Sequence, residues 1–176
     1  MFGKTNLKEN INEFVGKITI EEIKEFTDEN FGIDDEYKNS GIKKQGSLSA
    51  KYEFYENKNQ KHSGYFSGIL KSKFYLNKND SIKYNNINIQ SDAYFNNAFV
   101  GTWTKYNSSI ERTCNWGDFR VPNSSCDFDI GAGEFSVSEK YIYNGWLSTI
   151  LTKKTGSMDI NESKLPKGKI IKDWWE

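Results

Sequence analysis

Histidine, cysteine, proline and long apolar runs are all scarce in this chain. Its 176 residues include one histidine, two cysteines, two prolines and two methionines. The single histidine, His62, sits in the polar run Lys58-Asn59-Gln60-Lys61-His62-Ser63 and reads as a solvated loop residue rather than a general base or metal ligand. With no second histidine, no serine-nucleophile motif, no phosphate-binding glycine loop and no cysteine-rich metal pattern, most enzyme classes lose their usual machinery. No stretch approaches the ~20 consecutive apolar residues of a membrane helix. The opening Met1-Phe2-Gly3-Lys4-Thr5-Asn6 lacks the apolar core of an export signal, so the expectation is a soluble protein with no membrane partner. Its compartment is cytoplasmic by default, or exported if a signal has been removed. An excess of one charge is missing too: 24 basic and 24 acidic side chains cancel. A phosphate backbone is therefore not the expected partner, although Lys71, Lys73 and Tyr75 form a small basic-aromatic patch. Cys114 and Cys126 have eleven residues between them; a disulfide joining them would close a short loop and imply an oxidising compartment, and two reduced thiols are the ordinary alternative.

What the chain does have is aromatic surface. Hydrophobic residues make up only 36%, but Phe, Tyr and Trp account for 15%, and each removes a large area from water when buried. A chain of this length can form one main domain with an appendage. The pattern divides it into a helical N-terminal segment and linker over 1–45, a β-rich domain with a closing helix over 46–153, and a tail over 154–176. Thr19-Ile20-Glu21-Glu22 has the form of a capping box, and Ile20, Ile23 and Phe26 recur at helical spacing, predicting a helix to about residue 31. Residues 34–45 are polar and aperiodic, as in a linker.

From Leu48 the period becomes two. Leu48, Ala50, Tyr52 and Phe54 alternate with Ser49, Lys51, Glu53 and Tyr55, the pattern of a half-buried strand. Further strands are expected over 64–76, 81–89 and 98–106, with polar turns between them. A second capping box, Ser136-Val137-Ser138-Glu139, precedes Ile142, Trp146, Ile150 and Leu151, which could line a helix to about residue 153, weakened by Gly145. Trp174 and Trp175 are expected to dock on the domain. The class is mainly β (α+β): an antiparallel meander forming a barrel or a sandwich, with one helix before it and one after about residue 137. Gly101-Thr102-Trp103 resembles the Gly-x-Trp signature of lipocalin-type barrels. There the motif lies near the first strand and here several strands precede it, so no ligand or site follows from it.

The most site-like stretch is 114–135. It concentrates Gly117, Gly131 and Gly133 with Trp116, Phe119, Phe128 and Phe135, and it collects Asp118, Asp127, Asp129 and Glu134. Glycine-dependent backbone is found in tight turns and where ligands approach the main chain; an irregular loop packed by its own aromatics is the plain structural reading. Asp127, Asp129 and Glu134 could hold calcium. Their spacing resembles the start of an EF-hand loop, but Gly131, Ala132 and Ser138 stand where a ligand, the glycine and the bidentate glutamate belong, which rejects a standard EF-hand. Two of the carboxylates could instead serve a carbohydrate-active hydrolase or a calcium-dependent glycan-binding domain, with Trp116 or Trp103 as sugar platform. The favoured expectation is a non-catalytic module that needs no cofactor and binds a protein through Trp116, Phe119, Arg120 and Trp103, the residue types that dominate interfaces. Carbohydrate is the alternative ligand.

Overall fold

The computed structural model describes residues 1–7, 10–27, 41–89, 91–92 and 94–146. Eight strands form one antiparallel sheet: β1 (Phe2–Leu7), β2 (Asn10–Glu25), β3 (Lys44–Glu56), β4 (Gly64–Leu76), β5 (Ile82–Tyr84), β6 (Asn96–Lys105), β7 (Glu111–Thr113) and β8 (Trp116–Asp118). The spatial order is β1-β2-β3-β4-β6-β7, with β5 on β4 and β8 on β6. The meander is as expected, but the sheet stays open, so neither a closed barrel nor a two-sheet sandwich describes it.

The N-terminal helix is a correction. Residues 10–25 are a 16-residue strand, and its register against β3 explains the misleading spacing. Ile18 pairs with Tyr52 and Ile20 with Ala50; the register then shifts between Ile20 and Glu22, after which Ile23 pairs with Leu48. One inserted residue at this bulge keeps Ile18, Ile20 and Ile23 on the same face and turns a period of two into a step of three. A helix shows the same step. Of the second expected helix, the described residues form a 3-10 helix, Glu139–Asn144, followed by Gly145 at φ 108°. Glycine is a terminator there, since a side chain in that left-handed region would be strained. Most of the expected linker, the stretch beyond Trp146 that includes Ile150 and Leu151, and the whole tail with Trp174 and Trp175 lie outside the described residues.

One face of the sheet carries the core. Ala50, Tyr52 and Phe54 of β3, Phe66 and Leu70 of β4 and Phe99 of β6 are buried together, with Phe14, Leu48, Trp103, Cys114 and Trp116 packed against them. Alternation in β3 places these side chains on one side, and register does the rest: Phe54 faces Phe66, which faces Trp103. Tyr52 lies across two glycines. A Cβ on Gly101 would come within 2.4 Å of the Tyr52 hydroxyl, and one on Gly68 within 2.8 Å. Only glycine leaves room for the ring in that row. The hydroxyl itself is buried and has no hydrogen-bond partner.

A polar plug repairs a break in the ladder. The free side of β4 is shared by β6, which pairs as far as Lys71, and β5, which starts at Phe74. At the junction the Asn96 side chain acts as a peptide group: its Oδ1 accepts from the Lys73 N–H at 2.7 Å and its Nδ2 donates to the Lys73 carbonyl at 3.0 Å. Asn96 is 1% exposed, beside buried Asn85, Gln45 and Ile87. The Asn85 amide donates to Gln45 Oε1 at 2.9 Å, so these buried amides satisfy one another as burial requires.

Candidate functional site

The stretch 114–135 was the expected contact site, and its side chains divide sharply. Trp116 turns into the core, stacked on Phe99 with centroids 4.7 Å apart and meeting Tyr52 and Phe66 edge-on. Trp103 faces the same way, and its indole N–H donates to Glu56 at 2.9 Å. Glu56 also accepts from the Gly64 N–H and the Thr5 hydroxyl, so this buried carboxylate ties β1, β3, β4 and β6 together. Phe119 remains 49% exposed, with its ring edge-on to Tyr94.

Arg120 faces inward as a clamp. Its guanidinium donates to Asp129 Oδ2 at 2.6 Å, to the Gly133 carbonyl at 2.6 Å, and to the carbonyls of Gly131 and Ala132. Three successive carbonyls can converge on one planar cation only where the chain curls tightly, and at Gly131 a Cβ would sit 1.7 Å from the Glu134 carbonyl oxygen. The glycines of the segment thus serve its own folding. Phe128, Phe135, Tyr141 and Trp146 pack as a separate aromatic cluster beyond it.

The carboxylates are occupied by protein donors. Asp129 Oδ1 accepts from the N–H groups of Gly131 and Ser136, while its other oxygen takes Arg120. Asp127 accepts from Lys140, Ser125 and Tyr141, and these donors, Lys140 first, hold its carboxyl well below the usual range. Asp118 accepts from the Tyr84 hydroxyl and from Asn97. Glu134 is exposed. Among the described residues no group of three or more His, Cys, Asp or Glu side chains is placed to hold a metal ion. Cys114 and Cys126 are both free thiols; burial, and then Glu56, pushes the Cys114 thiol up. His62 stays exposed in the β3–β4 turn at φ 56°.

Two surfaces that sequence reasoning passed over are more open. On the face opposite the core, register aligns Phe2 with Val15, Val15 with Tyr55 and Tyr55 with Tyr65. Phe2 is 86%, Val15 64% and Tyr55 43% exposed. Tyr55 stacks on Tyr65 at 5.9 Å, and Tyr65 meets Tyr106 at 6.1 Å. Glu53 accepts from the Tyr55 hydroxyl at 3.2 Å and pairs with Lys17; Lys17 lowers the Glu53 carboxyl, and Glu53 raises the Tyr55 phenol.

The second surface is the outer edge of β2. β1 covers it only from Asn10 to Val15, with Gly16 exchanging hydrogen bonds with Met1. Beyond Gly16, no strand among the described residues pairs with it. Hydrogen bonding alternates along a strand. Since Gly16 points its N–H and C=O outward and Phe26 donates inward to Gln45, the outward groups between them belong to Ile18, Ile20, Ile23 and Glu25. The three isoleucine side chains stand on the core face yet are 37%, 55% and 57% exposed. The signal for this strand was the β-branched run Ile18-Thr19-Ile20, which the capping-box pattern masked.

Among the described residues no helix is long and apolar enough to cross a membrane. Compared with models of known protein families, with curated proteins and with solved structures, the chain matches none.

Proposed function

We propose that this protein is a non-catalytic module that binds a protein partner, and that it does so by strand addition at the outer edge of β2. The observation that carries this reading is the coincidence of outward main-chain groups with three exposed isoleucines at Ile18, Ile20 and Ile23. Main-chain hydrogen bonds from such an edge give a partner strand its affinity, and the side chains beside it give selectivity. Edges of this kind attract extended chains unless they are covered. Trp116, Arg120 and, on β6, Trp103 are a weaker basis, because all three are engaged inside the fold.

A second reading has its own observation. The stacked Tyr55, Tyr65 and Tyr106 rings, flanked by Lys17, Glu53 and Lys58, make an aromatic surface with polar neighbours, to which the CH face of a sugar could stack. One experiment separates the two. Immobilised full chain is offered a proteome extract alongside Ile20→Pro, Ile23→Lys and Tyr55→Ser variants, each checked for its fold by circular dichroism. Proline at 20 removes an outward N–H and one of the three isoleucine side chains but no hydrogen bond to β3, a change that an edge strand tolerates. Protein partners identified on the native chain, lost on both edge variants and kept on Tyr55→Ser, support strand addition. Partners retained on both edge variants would sink it, and partners lost on Tyr55→Ser and released by oligosaccharide favour the sugar surface.

A further inference from the structure

Asn144–Gly145 is the chain's single Asn-Gly step, and the fold leaves it at the exposed end of the 3-10 helix. We infer that it is a site of spontaneous modification, at which Asn144 converts to aspartate and isoaspartate, and that the grip of Asp127 on this helix sets the rate. The chemistry needs only water. The Gly145 backbone nitrogen gives up its proton and attacks Cγ of Asn144; a new C–N bond closes a succinimide ring, and the side-chain nitrogen leaves as ammonia. Water then opens the ring at either carbonyl. One opening leaves aspartate in the normal chain, and the other routes the main chain through the side chain as isoaspartate. Glycine in second place favours the attack because no Cβ hinders the nitrogen. Even a Cβ built on Gly145 would meet nothing within 4 Å, and the Asn144 side-chain amide has no hydrogen-bond partner among the described residues.

What restrains the reaction is the turn itself. Gly145 donates its N–H to the Ile142 carbonyl, and Trp146 donates to the same oxygen at 3.1 Å. The attacking nitrogen is therefore engaged, and the turn must open before the ring can close. None of the helix residues is buried; the helix is held instead on the turn before it. Asp127 accepts from Lys140 and from the Tyr141 hydroxyl, Ser138 donates to the Phe128 carbonyl at 2.9 Å, and the Tyr141 and Trp146 rings meet Phe128 edge-on. The products disturb this seat. Isoaspartate adds a methylene to the main chain between the Ile142 carbonyl and the two N–H groups that converge on it. Aspartate places a negative charge at a helix C-terminus, the unfavourable end, with no basic residue in its last turn.

The test incubates the full chain at physiological temperature and mildly alkaline pH beside a blocked peptide of residues 141–146. Peptide mapping follows Asn144: mass spectrometry reads the exchange of NH for O, and chromatography separates the two products. Asn144→Gln, whose longer side chain closes a ring far more slowly, is the control for assignment. The native chain is expected to convert about tenfold more slowly than the peptide, as for a turn that opens locally before it reacts. Asp127→Asn and Lys140→Gln, each checked for its fold by circular dichroism, should both convert about threefold faster than the native chain, the worth of one exposed ion pair. The isoaspartate form should show displaced Trp146 ring protons. A native chain still unmodified at Asn144 when the peptide has fully converted would overturn the site. Conversion as fast as the peptide's would overturn the restraint by the turn, and rates unchanged in both variants would overturn the role of Asp127.

Discussion

Replacing Tyr52 by phenylalanine should make this protein more stable. Tyr52 is 1% exposed at the centre of the core, and its hydroxyl has no hydrogen-bond partner. Burial, and then the neighbouring Cys114, push the phenol well above its usual range, so the group is a neutral O–H removed from water. Desolvating a hydroxyl without a compensating bond costs about 1–3 kcal/mol. Tyr52→Phe removes that cost, keeps the ring against Phe54, Phe99 and Trp116, and gives up only the dispersion contacts of one oxygen. The net gain should be about 1 kcal/mol, which for a domain of this size raises Tm by roughly 2–4 °C. The assay is urea unfolding of both proteins by circular dichroism, with the m-value checked for constancy. A loss of 1 kcal/mol or more would refute the reasoning, because it would mean that the hydroxyl is satisfied by a buried water or by the Cys114 thiol. Gly101→Ala gives the converse: its Cβ would meet that hydroxyl and the Ser67 carbonyl, the latter at 2.1 Å, and it should destabilise strongly.

Other changes have equally definite outcomes. Arg120→Ala removes two short charge-assisted bonds from a largely buried clamp and should cost about 3 kcal/mol locally; amide exchange at Gly131 and Ser136 should then accelerate roughly 100-fold, and a change below threefold would show the clamp to be dispensable. Asn96→Ala strips the Lys73 N–H of its partner and leaves the Lys73 carbonyl only the Asn85 N–H at 3.2 Å, which should cost about 1–3 kcal/mol in urea unfolding, with Asn96→Asp recovering only the accepting half. Exposed Cys126 should react with a thiol reagent within seconds, whereas Cys114 should wait for denaturant; two fast thiols would contradict the packing, and none before reduction would reveal a disulfide. Because Asp127 is depressed in the folded state, its stabilising contribution is present above the ordinary carboxylate value near pH 4 and is lost as the pH falls through the lower native one. Asp127→Asn should flatten the acid limb of Tyr141 and Trp146 ring-proton shifts, and an unchanged limb would assign that transition to another group.

How legible the fold was depended on whether local pattern and tertiary role agreed. In β3 they agree: one face of the strand is core, so Leu48, Ala50, Tyr52 and Phe54 announce it. In β2 they conflict, because the bulge between Ile20 and Glu22 imitates a helical step and because edge position leaves isoleucines where burial would be expected. Closure into a barrel was illegible for another reason: a strand pattern reports which face is apolar, not whether the last strand meets the first. At 114–135 the density of glycine, aromatic and acidic residues was real, but its cause was internal. Whether Arg120 faces a partner or three carbonyls of its own loop depends on backbone curl, which composition cannot express. Trp116 likewise reaches Tyr52 and Phe66 only through the pairing of β8 with β6.

The order of strands in space largely follows their order in the chain, except that β4 pairs with β6 across the short β5, and β8 pairs with β6 rather than with its neighbour β7. That has a kinetic consequence. Apart from β4–β6 and β6–β8, which each pass over one short strand, the pairings join segments linked by one connection, so the sheet can assemble largely by successive hairpin closure. The β3–β4 pair is the natural starting point: its ladder runs from Lys44 with Leu76 to Tyr55 with Tyr65, its turn is held by the Asn57 carbonyl and side chain, and it already unites Phe54 with Phe66. Loop-closure cost grows only slowly with length and is smallest for such neighbours. An open sheet of this kind should therefore fold faster than closed β-structures of equal size, and the outer edge of β2 beyond Gly16 is the stretch that no described strand completes.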